Sequence, residues 1–453
     1  MVLYDTEKGI VLDDAFELMP GIWVNNGYRH ICTDAQIGEL GSGKRFALLL
    51  DDTLEVLAAK KRSQEIKPKE EQERARIAKE KRENMLHILL PLDGKMPNWY
   101  FDFIKGFNNV EKGKQAGIRN TAEFTRDQWL SYLCDSSFPS TFLAGYQIIR
   151  NFLSNTAVQE VYKNLKSVKI ADVGCGNGGA SLGGLTALVE LLPDLNEITI
   201  NAYDYSEEAM KLFEESLGFL TKKTDLSLKL NKKCVEFIPQ NSNDRLPNQR
   251  TLREFGEQVI MNNEFDFILS FKMINELIVN HSFDLSSTYY EMIHCLTPHL
   301  SNSGCLVVLD ISMSAERDDD GSFIDNTAYG RALNKQSRCF EREHAQFKAV
   351  IPIPCSLIEE GCRDNGYCNQ QRLFAAEDGR VFPATYKVIV RNEFAKKILD
   401  NIPKHSPKDY LVEETKNGIK NRCGYKGNGE WIPIKDRSCT SGETFYDGYD
   451  LNA

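Results

Sequence analysis

One short stretch constrains this chain more than any other. The run ADVGCGNGGAS (171–181) overlaps the end of a β-rich segment, VKIADV (168–173), and opens onto a helical pattern, SLGGLTALVELL (181–192). Gly174, Gly176 and Gly178 let the backbone turn tightly and approach a ligand with no Cβ in the way. The next strand-like run, EITINAYD (197–204), ends at Asp204, about 30 residues past Gly174, where an acid can accept both hydroxyls of a ribose. Strand, glycine turn, helix, strand and terminal acid together predict a nucleotide site at the carboxyl edge of a parallel sheet.

The alternation continues downstream. AMKLFEESLGFL (209–220) reads as helix, CVEFIP (234–239) as the third strand, and FDFILS (265–270) and GCLVVLD (304–310) as the next two. FKAVIPIP (347–354) and TYKVIVR (385–391) complete the series. Strands separated by helical patterns imply an α/β fold with helices on both faces of a mainly parallel sheet. The polar stretch 312–346 reads as an insertion. Upstream, residues 1–58 form a small irregular element and 59–165 a charged and helical subdomain. The sheet occupies 166–395, and 396–453 form a tail. The aromatics Trp99, Tyr100, Phe101, Phe103, Trp129 and Tyr132 are expected in the core.

Composition narrows the function classes. The chain has 453 residues, 55 basic against 65 acidic side chains, and a net charge of −10. Any nucleic-acid partner must therefore be met by a local patch. Mean hydropathy is −0.40, and no apolar run approaches the ~20 residues a bilayer needs. The acidic start, MVLYDTEKGIVLDDAFELMP, resembles neither a signal nor a transit peptide, so a cytoplasmic location is expected, with mitochondria as the alternative. Lys60 to Asn84 hold ten Lys or Arg against six Glu. They read as a solvated helix laced with ion pairs or a mobile segment, or as a basic arm for phosphates. Two apparent motifs fail. Gly38 to Lys44 has phosphate-loop spacing but Arg45 in place of Ser or Thr, and Asp318 to Gly321 lacks the alternating ligands of a calcium loop.

Twelve cysteines without an export signal point to a reducing compartment. Cys355, Cys362 and Cys368 lie in one loop, PCSLIEEGCRDNGYC, close enough to converge on a metal. Cys423 or Cys439 would supply a fourth thiolate, with Cys339 and His344 as weaker candidates. Thiolates select zinc or an iron–sulfur cluster. Cys234, Cys295 and Cys305, in apolar runs, are expected in the core.

With Asp172 at the strand end, the turn has the form D-x-G-x-G-x-G and resembles motif I of class I S-adenosylmethionine (SAM) methyltransferases. NAD is the alternative ligand. The resemblance implies a seven-stranded Rossmann-like sheet whose last strand runs antiparallel to the rest. It also implies a cofactor site made by Asp172, Gly174, Cys175, Gly176, Gly178, Asp204, Tyr205 and Ser270. Further segments are similar to the methyltransferase-like assembly proteins of the small ribosomal subunit in mitochondria and bacteria: FPSTFLAGYQIIRNF (138–152), ILSFKMINELI (268–278), and the cysteine loop running into CNQQRLF (368–374) and YKVIVRN. That resemblance spans roughly 138–395 and implies a four-cysteine iron–sulfur site, with Cys423 the better-spaced fourth ligand, and an RNA or ribosomal partner.

Acceptors of a methyl group should lie beside the ends of the fourth and fifth strands. Lys272, Asn275 and Glu276, with Asp310 next, are the catalytic candidates, Glu276 as proton acceptor. Three functions fit: an RNA-directed methyltransferase, a small-molecule or peptide O- or N-methyltransferase with a structural metal, and a SAM-binding ribosome-assembly protein without turnover.

Overall fold

The computed structural model describes residues 2–351, 372–400, 412–415 and 418–421, apart from short gaps at 9, 13–15, 20–21, 25–30, 34–35, 41, 50–53, 92–94, 108–123, 135–136, 243–244, 312–315, 318–322, 325–326 and 376–380. The chain divides into two units, Met1–Asn84 and Met85–Ala453.

In the first unit, Ile10–Leu12, Val2–Asp5, Phe46–Leu49 and Ile37–Gly38 form a four-stranded sheet in that order, and Leu3, Leu12 and Phe46 close a small core over it. Gly43 sits in an exposed turn with φ 77° and leads into a strand, not a helix, so this turn cannot cradle a phosphate at a helix N-terminus. The charged segment lies in the helix Leu54–Leu89. Arg76 bonds Glu73 at 2.8 Å and reaches Glu80 at 3.5 Å, while Lys79 pairs with Glu83 at 3.8 Å, all on exposed surface. Over residues 72–83, where its side chains are described, it is the solvated, ion-paired helix that the spacing predicts.

The second unit carries the large sheet. Of the helices that precede it, two matter for the site, α1 (Arg126–Cys134) and α2 (Ser137–Ser154). Then come β1 (Ser167–Val173), α3 (Gly179–Leu191), β2 (Glu197–Asp204), α4 (Glu207–Thr221) and β3 (Ser227–Cys234). β4 (Phe265–Phe271), α5 (Ile274–Asn280), α6 (Thr288–Leu296) and β5 (Leu300–Ile311) follow. α7 (Thr327–Glu343), β6 (Phe347–Ile351) and β7 (Val381–Arg391) end the series. The strand order is β3-β2-β1-β4-β5-β7-β6, and Arg372–Ala375 adds a short strand against the start of β7. β7 is antiparallel to both neighbours and the other pairings along the sheet are parallel. This is the seven-stranded α/β sheet that the glycine turn implies.

The central strands are buried on both faces, so their sequences read as nearly continuous apolar runs. Two expectations need correction. The third strand is not CVEFIP but SLKLNKKC (227–234), and among the described residues Glu236–Phe237 pair with Gln249–Arg250 outside the large sheet. Among the described strands β3 lies at the edge with one neighbour and largely exposed side chains, and its lysines suit an edge that must not recruit further strands. Such a strand carries little hydrophobic signal. The polar stretch 312–346, for its part, contains α7, an integral layer of the domain whose Leu333 and Phe340 are fully buried. Asn334, Gln336 and Ser337 are buried with them, so the polarity extends to the inward face as well.

Region 85–165 is helical as expected, and Trp99, Tyr100 and Phe103 are buried. It nonetheless shares the core of the sheet domain. α2 crosses α3 at close range: a Cβ on Gly183 would lie 2.0 Å from the Phe142 carbonyl oxygen, and one on Gly145 2.6 Å from that of Ala180. This contact fixes α2, with Ser140 and Thr141, at the carboxyl edge. The order reverses between β1 and β4, and at such a switch point the crossovers diverge and leave a crevice.

Candidate active site

The turn after β1 is stitched to the end of β2. The backbone N–H groups of Gly174 and Cys175 donate to the Tyr203 carbonyl at 2.8 and 3.2 Å. Gly174, Gly176 and Gly178 all have positive φ, at 73°, 51° and 83°. At two of them space is also closed: a Cβ on Gly174 would lie 2.4 Å from the Met273 side chain, and one on Gly178 2.2 Å from the Phe213 ring. Asp204 completes the turn. Its Oδ2 accepts from the Gly176 N–H at 2.7 Å, and its Oδ1 from the Ser206 N–H at 2.9 Å. Ser206 in turn caps α4.

Around this turn opens a cleft of about 820 Å³, counting its mouth. Asp172, Gly174, Cys175, Gly176, Asp204 and Tyr205 form one side, and Lys272, Met273, Glu276 and His281 another. Asp172 is fully buried: its Oδ2 accepts from the Ser181 hydroxyl at 2.6 Å, and its Oδ1 has no partner among the described residues. Burial pushes Asp172 up to about 7, against the Ser181 hydrogen bond, and the charge of Asp204 adds to the rise. Burial likewise raises Asp204 to about 6, opposed by the backbone N–H groups it accepts from. Two carboxyl groups are thus held at one end of the cleft where ionisation is unfavourable until a cation faces them. Cys175 is buried and its thiol is pushed well up, which makes it a poor nucleophile.

Beside β4 and β5 lies a second polar cluster. Asp310, fully buried, accepts from the Tyr289 hydroxyl at 2.7 Å, the Asn275 N–H at 2.9 Å and the Ile311 N–H at 2.8 Å. Burial still lifts it to about 7. These bonds tie the loop after β4 to the end of β5. Lys272, in that loop, donates from Nζ to the Ser140 hydroxyl at 3.0 Å. Burial lowers its pKa to about 8, against the pull of Asp310 and Glu276.

Most sequence-nominated residues therefore meet in one cleft. Gly178, Ser270 and Asn275 sit in the layer behind its wall, Gly178 starting α3 and Asn275 anchoring the loop through its N–H. Cys355, Cys362, Cys368, Cys423 and Cys439 lie outside the described residues. Among the described residues, no group of three or more His, Cys, Asp or Glu is arranged to hold a metal. His344 packs on Phe340 and His294 at ring distances of 4.6 and 4.8 Å. Cys305 is core, whereas Cys234 and Cys295 are half-buried.

The cleft also uses residues that the motif does not flag: Trp129, Tyr132 and Thr141 from the preceding helices, Val235 and Phe237 after β3, and His281 after α5. Trp129 is 3% exposed and does join a small core, with Phe124, Ala209 and Leu212. Its ring also reaches within 3.9 Å of where a Gly176 Cβ would stand, so one face serves packing and the other the cleft. An aromatic pair spaced three apart on a helix gives no sequence signal that separates these roles.

The strand order, the reversed seventh strand and the glycine turn joined to a terminal acid define the class I SAM methyltransferase fold. No protein-family model matches the sequence, and no curated protein sequence does so. Solved structures with a similar fold include TrmN from Thermus thermophilus, at 14% identity over 56% of this chain and 52% of that one, TM-score 0.27. A SAM-dependent methyltransferase from Methanosarcina mazei is 13% identical over 52% of this chain and 96% of that one, TM-score 0.30. The O-methyltransferase from Bacillus cereus, solved with S-adenosylhomocysteine (SAH), is 8% identical over 67% and 94%, TM-score 0.32. The match spans about half the length of TrmN. At these values the likeness concerns the fold, which the strand order already defines.

Proposed function

We propose that this chain transfers the methyl group of SAM to an RNA or ribosome-associated acceptor. The observation that carries the cofactor is the pair of buried carboxyl groups, Asp172 and Asp204, flanking one glycine turn. SAM brings two cations, the sulfonium and the α-ammonium, together with a carboxylate, a ribose diol and a flat aromatic base. Asp172 and Asp204 answer the cations and the diol, and Tyr205, Val235 and Phe237 offer the base an apolar slot. The pyrophosphate of NAD would instead place negative charge against two acids. The reaction is a displacement in which orientation of the acceptor supplies much of the acceleration.

For the acceptor, support comes from the segments resembling ribosomal-subunit assembly proteins. A small-molecule acceptor is the second reading, favoured by Trp129 and Tyr132, which bring bulky rings into the cleft lining. The same proposal includes a metal held by Cys355, Cys362, Cys368 and Cys423, iron–sulfur or zinc, acting to brace the loop. Its support is the cysteine spacing and the loop's anchors. β6 leads into it at the carboxyl edge, and Arg372–Ala375 follows it against the start of β7.

The test is incubation of anaerobically purified protein with methyl-labelled SAM and small-subunit ribosomal RNA or assembly intermediates. Label in RNA is the expected result. Label confined to small molecules would favour the second reading, and SAM binding without label in any fraction would leave a protein without turnover.

A further inference from the structure

Lys272 occupies a position that backbone geometry gives to glycine or asparagine. Its φ is 58°, in the left-handed region, and only Met261 and Ser282 share that feature among the described non-glycine residues. The strained backbone is held in place: the Lys272 N–H donates to the Leu309 carbonyl at 2.8 Å, and Nζ donates to Ser140 Oγ at 3.0 Å. The side chain lines the cleft that also contains Asp172, Asp204 and Glu276, and Asp310 lies close behind it. Strain that persists beside a cleft, when a smaller residue would relieve it, marks a side chain kept for what it does there.

We propose that Lys272 is the general base of the methyl transfer, its amine taking the proton released by an N–H or O–H acceptor. This deepens the methyltransferase reading and rests on it. The acceptor's lone pair forms the bond to the methyl carbon. The carbon–sulfur bond breaks with its electron pair going to sulfur, which leaves the neutral thioether of SAH. The acceptor's proton passes to Nζ, and Glu276 and Asp310 stabilise the resulting ammonium. The substrate class is accordingly an uncharged nitrogen or hydroxyl nucleophile. Burial of Lys272 keeps a useful fraction of the amine neutral near physiological pH, although Glu276 and Asp310 pull the other way.

The experiment is a pH series of trinitrobenzenesulfonate labelling on the full chain, read by peptide mass spectrometry with and without saturating SAH. In parallel, the Lys272→Gly variant is measured for melting temperature and SAH affinity. Lys272 should label with a midpoint near pH 8, roughly two units below exposed lysines, and SAH should slow its labelling at least about tenfold. Lys272→Gly should melt no lower than wild type and bind SAH within about threefold. The proposal is overturned if Lys272 labels only with the surface lysines or not at all, if SAH does not protect it, or if Lys272→Gly melts lower. If wild-type protein fails to bind SAH, the cofactor reading falls and this role with it. If SAH binds and Lys272 behaves as an ordinary lysine, only the role falls.

Discussion

Asp204 Oδ2 accepts a 2.7 Å hydrogen bond from the backbone N–H of Gly176, so the acid that ends β2 also fixes the glycine turn that follows β1. One carboxylate therefore ties together the two strand ends that border the cleft. Its other oxygen holds the Ser206 N–H, which links the site to the cap of α4.

Asp204→Ala removes both backbone bonds and the expected acceptor for the ribose. Hydrogen bonds to a charged group contribute about 1.5–3 kcal/mol each. SAH affinity measured by calorimetry should fall at least about tenfold, with a lower melting temperature. Unchanged affinity would refute the ribose assignment.

The acids also set a pH dependence. Asp172 and Asp204 have pKa values raised in the fold, to about 7 and about 6, from 3.8. The folded chain thus holds protons that the unfolded chain releases. The associated stability is fully present below about pH 4 and is lost as pH rises through 6 and 7. An ammonium group set beside these acids, and in SAM also the sulfonium, favours their ionised form, so SAH and SAM should bind more weakly as pH falls below about 7. Titrations at pH 6 and 8 would show this, and Asp172→Asn should flatten the trend.

Gly183→Ala probes the α2–α3 crossing. The new methyl would lie 2.0 Å from the Phe142 carbonyl oxygen, a backbone atom that cannot swing aside. A loss of about 3 kcal/mol or more is expected from denaturant unfolding, at the upper end of overpacking costs. A near-neutral effect would mean the helices are not in close contact.

Cys355→Ser combined with Cys362→Ser should abolish metal binding, measured by elemental analysis and the visible spectrum of anaerobically purified protein. A broad visible absorption in wild type identifies an iron–sulfur cluster, and zinc without colour identifies the alternative. Full occupancy in the double variant would remove the site.

What the sequence reveals follows burial. β1, β4 and β5, enclosed on both faces, announce themselves as apolar runs, and Gly174, Gly176 and Gly178 stand where the backbone demands positive φ. β3 hides because an exposed edge selects Lys229, Lys232 and Lys233 instead of an apolar pattern. α7 hides because polar residues occupy both of its faces: Asn334, Gln336 and Ser337 are buried beside Leu333 and Phe340. At the site, acids at strand ends are legible from spacing, whereas Trp129, Thr141 and His281 arrive from distant segments that only folding brings to the cleft. The left-handed backbone of Lys272 leaves no sequence mark.

Parallel calorimetric titrations of the protein with SAH and with NAD decide which cofactor the glycine turn and its two acids hold. Saturable one-to-one binding of SAH is expected, weakened by Asp172→Ala and by Asp204→Ala, with no binding of NAD. Saturable NAD binding without SAH binding, or SAH binding indifferent to both substitutions, would contradict it.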